Sequence, residues 1–289
     1  MTAQPEIVPF FDEPTSTVSY LVADPESGEA VVIDPVLEFD PVSGRVTTHD
    51  AEVILQAAAE RNWRIVLILE THAHADHLSA AQWIKQRTGA PIGIGAEIGR
   101  VQAIFRESLN TPDLAVDGSQ FDRLLADGDR IGLGSMEIAV LHTPGHTPAC
   151  VSYRIGDAIF VGDTLFMPDY GTARTDFPGG DARQLYCSIR RLLAFPAETR
   201  LFTCHDYLTP ERHDFRWEST VAVQHATNIH IRDGVSEDEF VAMREGRDRG
   251  LSTPRLLYPA VQVNIRAGAF PPAEENGVQY LKLPVSFPA

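Results

Sequence analysis

Side chains that bind metals or move protons gather at four points in this sequence. The densest is "THAHADH", where His72, His74, Asp76 and His77 fall within six positions. The others are "HTPGHT", with His142 and His146, "VGD", with Asp163, and "CHDY", with His205 and Asp206. A lone histidine is most simply a surface or hydrogen-bonded residue, and His49, His213 and His225 are read that way. The cluster differs, because several imidazoles and a carboxylate packed together cost free energy unless something pairs with them. Imidazole and carboxylate donors suit zinc, iron or manganese. The thiolates of a local zinc finger are missing, so the four points must converge in space to make a site.

Strands are what bring them there. "RIVLILETH" is an uninterrupted apolar run, the pattern of a strand covered on both faces. "MEIAVLHTPG", "ACVSYRIGDAIFVGD" (a hairpin turning at Ile155–Asp157) and "TRLFTCHDY" each deliver one of the other points. Polar groups at the carboxyl ends of buried strands are where open α/β sheets build sites. "VSYLVAD" and "GEAVVIDP" read as two more strands, joined by a turn at Pro25–Gly28, and "PIGIG" as a short one. Helices alternate with them. "HDAEVILQAAAERN" presents Val53, Ile54, Ala57 and Ala58 on one face. "SAAQWIKQRTG" has Ser79 as a candidate cap and Gly89 beyond its end. "DARQLYCSIRRLLAF" places Leu185, Ile189, Leu192 and Leu193 on one stripe, with Asp181 and Gln184 at capping-box spacing. Residues 97–130 read as a helical excursion. From Pro254 the chain is proline-rich, and 254–289 is expected to be an irregular tail packed on a single domain spanning 1–289.

Composition narrows the classes. With 289 residues, 44% hydrophobic, the chain can bury a large core without staples. A net charge of −16 disfavours nucleic acid and anionic membranes as partners. An anionic substrate would therefore need arginine or lysine placed locally. Three cysteines suit a reducing compartment; Cys187 is expected to be buried, while Cys150 and Cys204 flank the histidine motifs. The N-terminus has the features of neither a secretory nor a transit peptide, and no apolar run approaches the ~20 residues of a membrane helix. A cytoplasmic location is expected.

Taken in order, "THAHADH", "HTPGHT", "VGDTLF" and "CHDY" resemble the metal-site motifs of the metallo-β-lactamase fold. That resemblance implies an α/β chain folded as an αββα sandwich of two mixed β-sheets flanked by helices, with the metal site in a cleft at one edge. Most such proteins hydrolyse esters, thioesters, lactams or phosphodiesters with two metals. In a glyoxalase II-like arrangement, His72, His74 and His146 would hold one zinc, Asp76, His77 and His205 the other, and Asp163 would bridge. All seven residues are present.

"YGTARTDFPGGDA", which follows the Asp163 motif, resembles instead the signature of persulfide dioxygenases, as does "HDY". This second resemblance implies one Fe(II) per chain on His72, His146 and Asp163, two imidazoles and a carboxylate on one face, as in non-haem iron oxygenases. His205, and His74, Asp76 and His77, would then orient ligands or move protons. The implied reaction takes a persulfide, O2 and water to a thiol and sulfite, with glutathione persulfide as the usual substrate. Arg174 matches the family's carboxylate-binding arginine, and Tyr207 its substrate-contacting tyrosine. Where glutathione-specific relatives carry a second arginine in "N-P-R", this chain reads "TNIHI". His230 stands there, so the cation is lost or becomes titratable, and another low-molecular-weight persulfide could be the substrate. Homodimers are common in the family. A non-enzymatic metal sensor would need a degraded ligand motif, and none is degraded.

Overall fold

The structure, a computed structural model, describes residues 4–285, so the outermost parts of the expected domain and tail (1–3 and 286–289) lie outside the described residues. In chain order its strands are β1 (Glu6–Asp12), β2 (Thr17–Ala23), β3 (Glu29–Ile33), β4 (Val36–Asp40), β5 (Arg45–Thr47), β6 (Arg64–Leu69), β7 (Leu78–Ser79), β8 (Ile92–Gly95), β9 (Arg123–Leu125), β10 (Arg130–Leu133), β11 (Met136–His142), β12 (Val151–Ile155), β13 (Ala158–Phe160), β14 (Arg200–Phe202) and β15 (Glu218–Thr220). The helices are α1 (His49–Glu60), α2 (Ala81–Thr88), α3 (Ile98–Ser108), α4 (Ala182–Leu193), α5 (Val221–Thr227), α6 (Glu237–Asp248) and α7 (Leu257–Asn264). One six-stranded sheet runs β1-β2-β3-β6-β8-β9 and a second runs β10-β11-β12-β13-β14-β15. Both are mixed: β3, β6, β8 and β9 pair in parallel, as do β13 and β14, while the rest pair antiparallel.

Alternation along β2 shows why two sheets stack. Val18, Tyr20 and Val22 face a core shared with Ile138, Val140, Tyr153 and Phe160 of the other sheet. Leu21 and Ala23 face the opposite way, into a core closed by Ile54 of α1, Ile84 of α2, Val101 of α3 and Val261 of α7. A third core packs Ile159 and Leu201 against Leu185, Ile189 and Leu192 of α4 and Phe240 of α6. Helix, sheet, sheet, helix is the expected αββα sandwich, and its three apolar layers explain why the central strands are buried on both faces.

Several local expectations change. Val53 is exposed and Ala51 takes its place in the buried stripe of α1, since Val53 lies about 100° of helix rotation from Ile54. Ser79 belongs to β7 rather than capping α2, although its Oγ accepts the Ala81 N–H, and Gly89 does take the left-handed position after the helix. The excursion at 97–130 is helical only in α3 and returns as β9 and β10. Asp181 caps α4 by accepting the Gln184 N–H at 2.9 Å, and a reciprocal capping box forms at Ser236 and Glu239 of α6. Cys187 is exposed, because it falls on the outer face of α4. The tail is not irregular from its start. α7 is buried in the first core, with Pro259 in its opening turn, where no N–H is required. Beyond it, residues 270–285 are turns and coil.

Candidate metal centre and cleft

The chain leaves β3, β6, β11, β13 and β14 at the same edge of the sandwich, and the polar residues meet there. His72, His74, Asp76 and His77 lie on the loop after β6, His146 follows β11, Asp163 sits in a 3-10 turn after β13, and His205 follows β14. Gly145 lets the His146 loop press on α4. Its φ is +137°, and a Cβ there would sit 2.3 Å from the Leu185 nitrogen.

Two donor sets share one carboxylate. His72, His146 and Asp163 form one group, and His74, Asp76, His77 and His205 form another; within each, one donor atom per residue lies within 4.8 Å of the rest. Asp163 Oδ2 is 3.9 Å from His72 Nε2 and 3.7 Å from His146 Nε2. Its Oδ1 is 3.4 Å from His205 Nε2, which also lies 3.0 Å from Asp76 Oδ2.

Each imidazole is oriented by its other nitrogen. His146 Nδ1–H donates to the Arg174 carbonyl at 2.8 Å, and His205 Nδ1–H to the Ser16 carbonyl at 3.2 Å. Thr71 Oγ1 gives its proton to Asp34, so it can only accept from His72 Nδ1, at 3.0 Å. The inward nitrogens of His72 and His146 therefore carry lone pairs. His74 Nδ1, His77 Nε2, His205 Nε2 and Asp163 Oδ1 are buried with no hydrogen-bond partner. Buried donors oriented from behind and unpaired in front fit a bound metal ion.

Electrostatics separates His72 from His74, while burial and the charge of His74 push His77 down as well. Burial, reinforced by His74 and His146, pushes the His72 pKa well below the ordinary value, so the ring stays neutral and able to coordinate. Burial would do the same to His74, but Asp34 and Glu70 outweigh it and raise its pKa. Its Nε2 lies 3.1 Å from Asp34 Oδ1 and 3.4 Å from Glu70 Oε2. Burial alone would raise the Asp76 pKa; the neighbouring His205 and His77 hold it low. Asp34, Glu70 and Asn264 were not singled out in the sequence. Asp34 ends β3 as the others end their strands, so the same strand-end rule reaches it. Asn264 gives no such signal: from α7 its amide donates to the carbonyls of His74 and His77, each at 2.8 Å. His142 turns away and bonds the Pro148 carbonyl.

A cleft of about 460 Å³ opens onto Asp76, His146 and Asp163. Tyr207 lines it, its ring stacked 5.2 Å from that of His205 and its hydroxyl 3.4 Å from Asp76 Oδ2. Arg174 lines it as well, with its guanidinium committed. Nε and Nη2 donate to Asp176 at 2.6 and 2.7 Å, and Nη1 to the Ser252 carbonyl. His230 forms another part of the wall, and of the two expectations for it, a lost cation or a titratable one, its surroundings favour the first. It is 6% exposed, and burial together with Arg244 and Arg247 pushes its pKa to about 3. It is a neutral ring at any working pH. Cys204 sits beside Asp163 and His205, while Cys150 is more remote, bonded to Thr147; both thiols are buried and stay protonated, Cys150 pushed up to about 12.

The metallo-beta-lactamase superfamily model matches residues 12–205, which takes in every one of these donors, and the chain belongs to that superfamily of metalloenzymes. It is 53% identical to a "probable metallo-hydrolase" of Burkholderia pseudomallei over 96% of this chain and 97% of that one. It is 42% identical to "glyoxylase B2" of Dictyostelium discoideum, over 99% of both, and 31% identical to human mitochondrial persulfide dioxygenase ETHE1, over 91% of this chain and 88% of that one. The crystal structure of ETHE1 from Myxococcus xanthus superposes with a TM-score of 0.74 at 31% identity, covering 91% of this chain and all of that one. No helix among the described residues is long and apolar enough to cross a membrane.

Proposed function

We propose that the protein is an iron-dependent persulfide dioxygenase that takes a low-molecular-weight persulfide, with O2 and water, to a thiol and sulfite. The observation that carries this reading is the contrast between His72 and His74. His72 is a neutral ring that converges with His146 and the Asp163 carboxylate, whereas His74 is held by two carboxylates that favour its protonated form. Ferrous iron on the first set would supply open coordination positions and electrons for O2 chemistry. The likeness of the "GTARTDFPGG" segment to persulfide dioxygenases, and the relatives of that name, support the same choice.

The chain's own residues then bind and orient. Asp76, held ionised by the neighbouring His205 and His77, accepts from the Tyr207 hydroxyl at 3.4 Å and is the cleft carboxylate that would take up a proton released there. Phe166, Tyr170 and Phe177 line the cleft and exclude water from it. Arg174 stands at the wall through its ion pair, with Phe177 under its guanidinium at 5.0 Å. The persulfide and O2 are the partners this reading requires.

A binuclear zinc thioester hydrolase is the second reading. The unpaired inward atoms of His74, His77 and His205 favour it, as do the names of the 53% identical "probable metallo-hydrolase" and the 42% identical "glyoxylase B2". Metal analysis of protein purified without added metal decides between them when run beside oxygen-uptake and thioester-hydrolysis assays. About one iron per chain with persulfide-dependent oxygen uptake is expected. Zinc in both donor sets with thioester hydrolysis and no oxygen uptake would overturn the dioxygenase reading.

A further inference from the structure

Two tyrosines reach the cleft from separate loops, and each directly follows an aspartate: Asp169-Tyr170 after the 3-10 turn, and Asp206-Tyr207 after β14. Both rings line the cleft, while neither carboxylate does. The two ring centroids lie 5.0 Å apart, and each ring packs on Phe166 at 5.7 Å. Tyr207 also stacks on His205. These three aromatics are the wall over His205 and Asp76. Two rings carried by separate loops need something to fix their spacing.

Arg212 supplies it from behind the wall. It does not line the cleft. Its Nε donates to Asp169 Oδ2 at 2.8 Å, and Nη1 and Nη2 donate to the two oxygens of Asp206. A planar fork that grips one carboxylate with two bonds and reaches a second through Nε holds both at a fixed separation, which an ammonium group cannot do. The two arms differ. The side chains of Arg212 and Asp206 are 8% and 0% exposed, whereas that of Asp169 is 38% exposed. Asp206 also accepts from the Leu208 and Arg216 N–H groups, so its loop has a scaffold of its own. Leu208 is held there at φ +56°, a left-handed conformation that a leucine keeps only where its surroundings impose it. The Asp169 arm can therefore be cut without stranding a buried charge.

We propose that Arg212 is a positioning residue: by tying Asp169 to Asp206 it sets the spacing of Tyr170 and Tyr207, and through that spacing the fit of the substrate under the aromatic wall. This inference rests on the reading that the substrate's sulfur meets the metal centre beneath that wall, and it is silent on which reaction follows.

The rings themselves give the first test. In the full chain loaded with diamagnetic zinc and carrying protonated tyrosine in a deuterated background, Tyr170 and Tyr207 should show a ring-to-ring NOE. Asp169→Ala should weaken it at least twofold, because Arg212 then holds only one loop. Arg212→Lys should weaken it as well. Thr209→Val, which removes the other side-chain bond to Asp169, should leave it unchanged. An NOE that survives Asp169→Ala, or an equal loss in Thr209→Val, overturns the proposal. Kinetics give the second test. Asp169→Ala should raise the KM for glutathione persulfide at least threefold with kcat within twofold, and adding it to Tyr170→Ala should raise KM no further. A KM that Asp169→Ala leaves unchanged, or additive effects in the double variant, overturns the positioning role and leaves the activity. A chain whose NOE responds as expected but which consumes no oxygen with glutathione persulfide keeps the brace and loses the dioxygenase reading.

Discussion

The two ends of the cleft are built on different plans. The metal end is made from strand termini of both sheets, with each imidazole held from behind by a carbonyl, hydroxyl or carboxylate. The distal end is made from α6 and the segment around Arg255, and its exposed Arg247 and Arg255 make no ion pair or side-chain hydrogen bond among the described residues. A pocket that must position reacting atoms gains from rigid strands and outer hydrogen bonds. A surface that selects a carrier by charge needs only cations facing the right way. Changes at the distal end are therefore expected to leave the metal end intact.

The largest effect is expected at the metal end. His146→Ala or Asp163→Ala should lower metal content and turnover at least about 100-fold, since even outer partners of metal ligands are worth 10–100-fold. Turnover that survives His146→Ala would show the first donor set to be misassigned. Next is the seam joining the two ends. Arg244→Ala leaves Asp248 buried and without its cation, still accepting from Thr175 N–H and Oγ1. It should cost about 3 kcal/mol in urea unfolding. Asn264→Ala strips the amide from the His74 and His77 carbonyls and should cost about 2 kcal/mol. Metal stoichiometry measured on the same variant tells whether α7 also shapes the second donor set.

Smaller effects come from titration. Asp50, in the first turn of α1, has its pKa raised to about 6 by burial and by Glu38 and Asp12, while His49 opposes them. The folded state thus binds this proton more tightly than the unfolded state. Stability falls as pH rises from about 4 to 6 and then levels off. Asp50→Asn should gain about 1 kcal/mol at pH 8, allowing for solvent screening, and nothing below pH 4. Equal gains at both pH values would refute that origin. At the distal end no titration is expected. With His230 neutral above a pKa of about 3, its contribution to substrate binding should be flat between about pH 5 and pH 8. A KM that changes in wild type over that range, and not in His230→Gln, would return the residue to the titrating class.

The metal end and the sandwich beneath it follow from the order of residues along the chain. Each donor follows directly on an apolar strand, so residue type and position in the chain were enough to place His72, His146, Asp163 and His205 at one edge. Asp34 was legible by the same rule. The rest depended on contacts distant in sequence. His230 read as a lost or titratable cation until Thr172, from 58 positions earlier, fixed its proton, and Arg244 and Arg247 fixed its charge. Asn264 reaches back 190 residues to the His74 carbonyl, from a helix hidden in what read as an irregular tail. Arginines look alike in a sequence. Which of them are spent on Asp176 and Asp248, and which still face the cleft, depends on the folded arrangement, because a charge is made available or engaged by its neighbours in space.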